Sequence, residues 1–197
     1  MFGRFAPWLP LLAVCGMLPL SPGAAAATPA SYAQALQDWR TPEDLSAWAG
    51  QRFRYDPARA EQLSETQRRV TTPPAIAEPA DFFGAPVGVC LDLSRFAIET
   101  LRHIDPGLQA RYLMIEFEPV TLNGHTLRLH WIASFRRDGQ MYFFADSERP
   151  GHVAGPYATA QAFVADYAAY RGRPVVRFAE LDSLRRQTRT LAAKALP

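Results

Sequence analysis

Cysteine is almost absent from this chain. Its 197 residues include two, Cys15 and Cys90, and Cys15 lies in an N-terminal stretch that reads as a leader. Once that leader is removed a single thiol remains, which excludes an intramolecular disulfide. Net charge is almost absent as well. Twenty-one Lys and Arg against nineteen Asp and Glu leave a formal +2, and losing Arg4 with no acidic residue takes it to +1. That balance gives no electrostatic footprint for nucleic acid, and the cluster Arg185, Arg186 and Arg189 reads as the solvated face of a terminal helix. There is no phosphate-cradling glycine loop and no dinucleotide fingerprint. His125 and His130 are five apart, which puts them on opposite faces of a strand, and His103 and His152 show no ligand spacing. Neither a metal nor a cofactor is expected.

The N-terminus has the parts of a secretory signal. Arg4 supplies a positive start, and Phe5 to Leu20 is apolar but broken by Pro7, Pro10 and Pro19, which argues against a membrane span. Small residues from Gly23 to Thr28 suit cleavage near Ala26 or Ala27. The competing reading is an uncleaved N-terminal anchor. A lipoprotein cut before Cys15 fits poorly, because Val14 is large and the apolar run continues past it. Residues 1–27 are therefore expected to be a signal peptide. Residues 28–197 form a single exported domain, periplasmic or secreted, with no stable membrane insertion after cleavage. A chain of about 170 residues can bury a real core, and 48% hydrophobic with 12% aromatic residues is the composition of a folded protein.

The pattern along the chain is α+β. Ser31 to Trp39 reads as a helix, and Thr41-Pro42-Glu43-Asp44 opens another, with Thr41 as N-cap and Pro42 at the first helical position. Gln51 to Tyr55 is a short polar-aromatic stretch, and Asp56-Pro57 marks a turn. Residues 71–86 hold Pro73, Pro74, Pro79 and Pro86 and read as an extended loop, too rich in proline for regular structure. A helix is expected from Cys90 to about Ile104, with Cys90, Leu93, Ala97, Leu101 and Ile104 on one face. Strands follow at Arg111 to Val120, Thr126 to Arg136 and Met141 to Asp146, the first two joined by an Asn123-Gly124 hairpin. Gly151, Gly155 and Pro156 read as a loop, Thr159 to Arg171 as a helix, Val175 to Phe178 as a last strand, and the tail from Glu180 as a short helix.

Cys90, His130 and Asp146 are the candidate catalytic residues. Cys90 stands in the first turn of its helix, where unpaired backbone N–H groups and the helix dipole favour negative charge. Asp92 opposes this as a like charge. A thiol, an imidazole and a carboxylate suit nucleophilic catalysis: Cys90 attacks, His130 moves the proton and Asp146 orients His130. The backbone N–H of Cys90 is positioned to bind an oxyanion. The bland reading makes Cys90 a small core residue, His130 a satisfied strand residue and Asp146 the start of a turn. The loop at Arg137-Asp138-Gly139 bears on the choice. A two-residue loop pairs Arg137 with Gln140 and leaves Asp146 on the face opposite His130. A three-residue loop pairs Arg136 with Gln140 and sets His130 directly opposite Asp146. Gly139 occupies the position where three-residue hairpins favour glycine, so this register is the one that makes the pair, with the two-residue register still open.

These residues resemble the transglutaminase-like superfamily of papain-like cysteine enzymes. The resemblance rests on Gly88-Val89-Cys90 opening a helix, His130-Trp131 on a strand and Tyr142 to Asp146 on the next. Thr41-Pro42-Glu43-Asp44-Leu45 followed by Phe53-Arg54-Tyr55 looks like the helical lead-in before the cysteine. The likeness covers roughly residues 40–150 and implies Cys90, His130 and Asp146 as a triad, with Trp131 as a packing neighbour. It implies a papain-like core and acyl transfer from amides of a protein or peptide substrate, in the manner of bacterial transglutaminase-like cysteine proteases. Val89 and Leu91 flank the cysteine where many members carry polar or acidic residues, and Ser147-Glu148-Arg149 follows Asp146 in place of the usual proline. Two other functions stay open: a binding or assembly module of the cell envelope that has lost the chemistry, and an acyltransferase with a thioester donor.

Overall fold

The computed structural model describes residues 28–184. The signal-peptide expectation for 1–27 and the helical expectation beyond Leu184 lie outside them.

Local sequence sets most of the elements. Helix α1 (Tyr32–Asp38) is capped by Ser31, and α2 (Pro42–Arg52) carries a full capping box between Thr41 and Asp44. Asp56-Pro57 does more than turn the chain. Asp56 caps α3 (Pro57–Gln62), and Ser64 caps the single turn α4 (Glu65–Arg68). The proline-rich segment is also not wholly irregular, because Pro79 opens helix α5 (Pro79–Gly84), which buries Phe82. In both cases proline sits at the first helical turn, where its missing N–H has no helical partner to lose. Short strands β1 (Arg54–Tyr55) and β2 (Val87–Gly88) pair in parallel and tie the lead-in to the start of α6 (Cys90–Ile104).

A five-stranded antiparallel sheet makes up the rest. Its order is β6 (Ala154–Tyr157), β5 (Gln140–Phe144), β4 (His125–Arg137), β3 (Arg111–Leu122), β7 (Val175–Leu181). Helix α7 (Ala160–Arg171) precedes β7. Two corrections to the sequence reading follow. Residues 154–157, expected in a loop, form an edge strand, and Glu180, expected in a helix, lies within the last strand, which runs on to Leu181.

Alternation along β3 and β4 sends apolar side chains to both faces. Tyr112, Met114, Trp131, Ala133 and Phe135 join α1, α2, α5 and α6 in one core. Leu113, Ile115, Phe117 and Ile132 join Phe163, Val164 and Tyr167 of α7 in the other. Phe143 and Phe163 stack there with ring centroids 3.9 Å apart. Each such buried side chain contributes about 2–3 kcal/mol. Within α6, Leu93, Ala97 and Leu101 are fully buried, while Cys90 and Ile104 at the ends of the stripe are half-buried.

Candidate active site

Pairing of β5 with β4 ends at Phe144 and Ala133. The β4 edge at His130 is left without a strand neighbour on that side, and this is where Cys90 and Asp146 meet the imidazole. The register is not the three-residue one that made the pair on paper. Arg137 pairs with Gln140 across a two-residue Asp138-Gly139 turn, in which both residues have positive φ (52° and 74°), as a type I′ hairpin requires. Strict alternation from this register would send Asp146 to the α6 side. Ala145 prevents that. It adopts φ 59°, breaks the pleat after β5, and packs its own methyl in the α6-side core. Asp146 is thereby turned to the His130 face.

The result is a buried polar cluster. His130 Nε2 lies 3.1 Å from Asp146 Oδ1, and the two residues are 7% and 4% exposed. Glu148 N–H donates to the same carboxylate oxygen at 3.0 Å. The hydroxyl of Tyr167 donates to Asp146 Oδ2 at 3.0 Å, lies 2.9 Å from His130 Nε2, and accepts from Arg171 Nη1 at 2.9 Å. Proton counting fixes the imidazole. A hydroxyl has one proton, and Asp146 takes it. Arg171 can only donate. His130 Nε2 must therefore carry a hydrogen, shared between Asp146 and Tyr167. That leaves Nδ1 for the hydrogen bond with Cys90.

The electrostatics agree. Burial works against a charged imidazole, but the Cys90 charge and the bonded Asp146 outweigh it and raise His130 to about 9. Burial would likewise raise Asp146, yet His130, the Glu148 N–H and Tyr167 hold it down at about 2. Burial and the Asp146 charge push the Tyr167 phenol up, so it stays protonated as the donor the network needs.

Asp92 does not stand against the thiol as an uncompensated charge. It is buried, and Arg59 grips it with Nε at 2.6 Å and Nη2 at 2.7 Å. Val89 N–H and Ala77 N–H donate to it at 3.1 and 3.0 Å. Burial works to raise Asp92, but Arg59 and these N–H groups hold it below the usual carboxylate value. Asp92 thus fastens the start of α6 to α3 and to the segment before α5. Gly88 is required for this, since a Cβ there would come within 2.8 Å of Asp92 Oδ2.

Cys90 and His130 open onto a cleft of about 390 Å³ between the α3–α4 segment and the sheet, lined also by Tyr55, Leu129, Trp131 and Glu148. Among the described residues no group of three or more His, Cys, Asp and Glu is placed to hold a metal ion, and no helix is long and apolar enough to cross a membrane.

Sequence reasoning missed Tyr167, Arg171 and Arg59. The signal for the first two was present: Phe163, Tyr167 and Arg171 follow at steps of four on α7, one helical face. Arg59 had no such signal, being 33 residues from Asp92. No protein-family model matches this chain, and no curated protein matches it.

Proposed function

We propose that this chain is an exported cysteine enzyme of transglutaminase-like, papain-like architecture that transfers an acyl group from an amide of a protein or peptide. The observation that carries the reading is the buried His130, bonded on one nitrogen to Asp146 and Tyr167 and coupled through the other to a half-buried thiol at a helix start. The antiparallel sheet, with histidine on one strand and aspartate after the next, supports the architectural part. The apolar leader supports export.

The chemistry follows from the proton positions. With His130 held at about 9 it is an imidazolium at neutral pH, and its Nδ1–H faces the sulfur. With the Cys90 proton transferred to His130 Nδ1, the sulfur attacks the carbonyl carbon as the thiolate, forming the S–C bond as the C–O π pair moves onto oxygen. The free N–H groups of the first turn of α6 stabilise that oxyanion. As the C–N bond breaks, Nδ1 delivers its proton to the departing amine. Neutral His130 then takes a proton from water, or from an acceptor amine, as it attacks the thioester. Water gives hydrolysis and an amine gives cross-linking. Asp146 stays ionised and stabilises the imidazolium. Tyr167 is a positioning residue that fixes Asp146 and the ring together.

The test is to incubate the processed protein with peptide and glutamine-containing libraries at neutral pH and weigh it intact. The expected result is a hydroxylamine-labile adduct on Cys90 with loss of the amine fragment, absent in Cys90→Ala. No adduct with any amide, together with alkylation of Cys90 no faster than that of a free thiol, would favour the binding-module reading.

A further inference from the structure

The cleft beside Cys90 is unevenly charged. Six of its lining residues are arginines (Arg68, Arg69, Arg128, Arg171, Arg173 and Arg177), against the glutamates Glu65, Glu116 and Glu148. All three glutamates are committed. Glu116 is held by Arg128 at 3.0 Å and by Arg177 in a short contact. Glu65 pairs with Arg69 and Arg128, both at 2.8 Å, and Glu148 pairs with Arg171 at 3.0 Å.

Arg68 and Arg173 are left over. Among the described residues neither has a carboxylate partner. Arg68 Nε donates to the Leu63 carbonyl at 2.6 Å, and Arg173 Nη2 to the Glu118 carbonyl at 2.7 Å. Arg173 Nε is buried with no hydrogen-bond partner. Burial pushes Arg68 below the ordinary arginine value against the nearby Glu65 and Cys90 charges, which form no ion pair with it, and burial and neighbouring Arg171 both push Arg173 down. A buried unpaired N–H and two crowded like charges are both costly, and a bound anion relieves both. The planar guanidinium fork matches a carboxylate. Leu63, Phe117, Leu127 and Leu129 give the cleft an apolar wall that suits the body of a peptide.

We propose that Arg68 and Arg173 provide carboxylate-binding positions in the Cys90 cleft, so that the amide substrate is a peptide with an aspartate or glutamate close to the bond attacked. This rests on the reading of Cys90 as the nucleophile.

Protection of Cys90 from iodoacetamide, a neutral reagent, reads occupancy of the cleft without requiring turnover. Hexapeptides differing only in Glu against Gln at one position are the competitors, with inorganic phosphate alongside. The glutamate peptide should protect at about one tenth the concentration of its glutamine twin, and the difference should shrink as salt is added. Arg68→Gln and Arg173→Gln should each narrow the preference, while Arg173→Lys keeps part of it. Equal protection by the two peptides overturns the proposal, as does a preference untouched by salt or by both glutamine variants. Phosphate protecting as well as the glutamate peptide also overturns it, in favour of a free-anion site. If Cys90 forms no thioester with any amide but the acidic preference is found, the acyl-transfer reading fails and the carboxylate positions stand.

Discussion

Ala145 is the residue whose backbone sends Asp146 to His130, and replacing it with valine tests that directly. It is 1% exposed and sits at φ 59°. A left-handed residue with a Cβ already costs about 1–2 kcal/mol. A β-branched side chain there adds strain of about 1–3 kcal/mol, and two extra methyl groups in a filled core add about 1–3 kcal/mol. The two added costs together give an expected loss of about 2–6 kcal/mol, against a total stability of roughly 5–15 kcal/mol for a domain. The chain can escape part of this cost by letting residue 145 return to extended geometry. That restores the pleat and turns Asp146 away, breaking its bonds to His130 and Tyr167. Urea unfolding and an NMR titration of His130 should therefore show a large destabilisation, a His130 titration well below about 9, or both. Ala145→Gly is the control. Glycine accepts positive φ, loses about 0.8 kcal/mol of methyl burial and about 0.4–1 kcal/mol through unfolded-state freedom, so it should stay within about 1 kcal/mol of the parent and keep the pair. A valine variant as stable as the parent within about 0.5 kcal/mol, with His130 still titrating near 9, would refute the reasoning.

Other expectations concern the groups around the site. Asp92→Asn leaves the half-buried Arg59 fork without its buried charge partner and should cost about 3–5 kcal/mol in urea unfolding; a loss below about 1 kcal/mol would mean that the ion pair does not fasten α6. Tyr167→Phe keeps the ring stacked on His130 but removes a hydroxyl with three partners. It should cost about 1–3 kcal/mol, lowering Tm by about 2–4 °C for each kcal/mol. In peptide turnover kcat should fall while KM holds, whereas a wild-type-like kcat with a raised KM would make Tyr167 a substrate contact. Asp146 is depressed from 3.8 to about 2, so its contribution is present above its unfolded value and lost as pH falls through about 2. His130 is raised from 6.5 to about 9, so its contribution is full below 6.5 and lost as pH rises through about 9. Stability measured against pH should thus decline at both ends, and Asp146→Asn should flatten the acid limb.

Much of this was legible along the chain because it is local. The Thr41 cap, the Cys90–Leu101 stripe and the alternation of Trp131, Ala133 and Phe135 are short-range patterns that burial then enforces. The three candidate residues were legible for a different reason, as residue types at the start of a helix, on a strand, and just past the end of the next strand. What the sequence hid was the route between them. The length of the Asp138-Gly139 hairpin stayed open, because Gly139 suits both loop types, and the structure takes the two-residue form. The His130–Asp146 contact survives only through the left-handed Ala145, and alanine carries no mark of that conformation. Asp56-Pro57 and Pro79 were read as breaks where proline instead begins helices. The partners of Asp92 and Asp146 were hidden because Arg59 and Tyr167 reach them from elements distant in sequence, with Arg171 in turn bonding the Tyr167 hydroxyl.

The central claim is that the Cys90 thiol and the His130 imidazole act as one charged pair. An NMR titration of the His130 ring in the wild-type protein and in Cys90→Ser tests it most directly, because the serine hydroxyl occupies the same place without an ionisable sulfur. The account predicts a midpoint of about 9 in the wild type, since the Cys90 charge is a principal cause of that elevation, and a clearly lower midpoint in Cys90→Ser. The same midpoint in both proteins would contradict it, leaving His130 and Asp146 as a buried structural pair with an uncoupled thiol nearby.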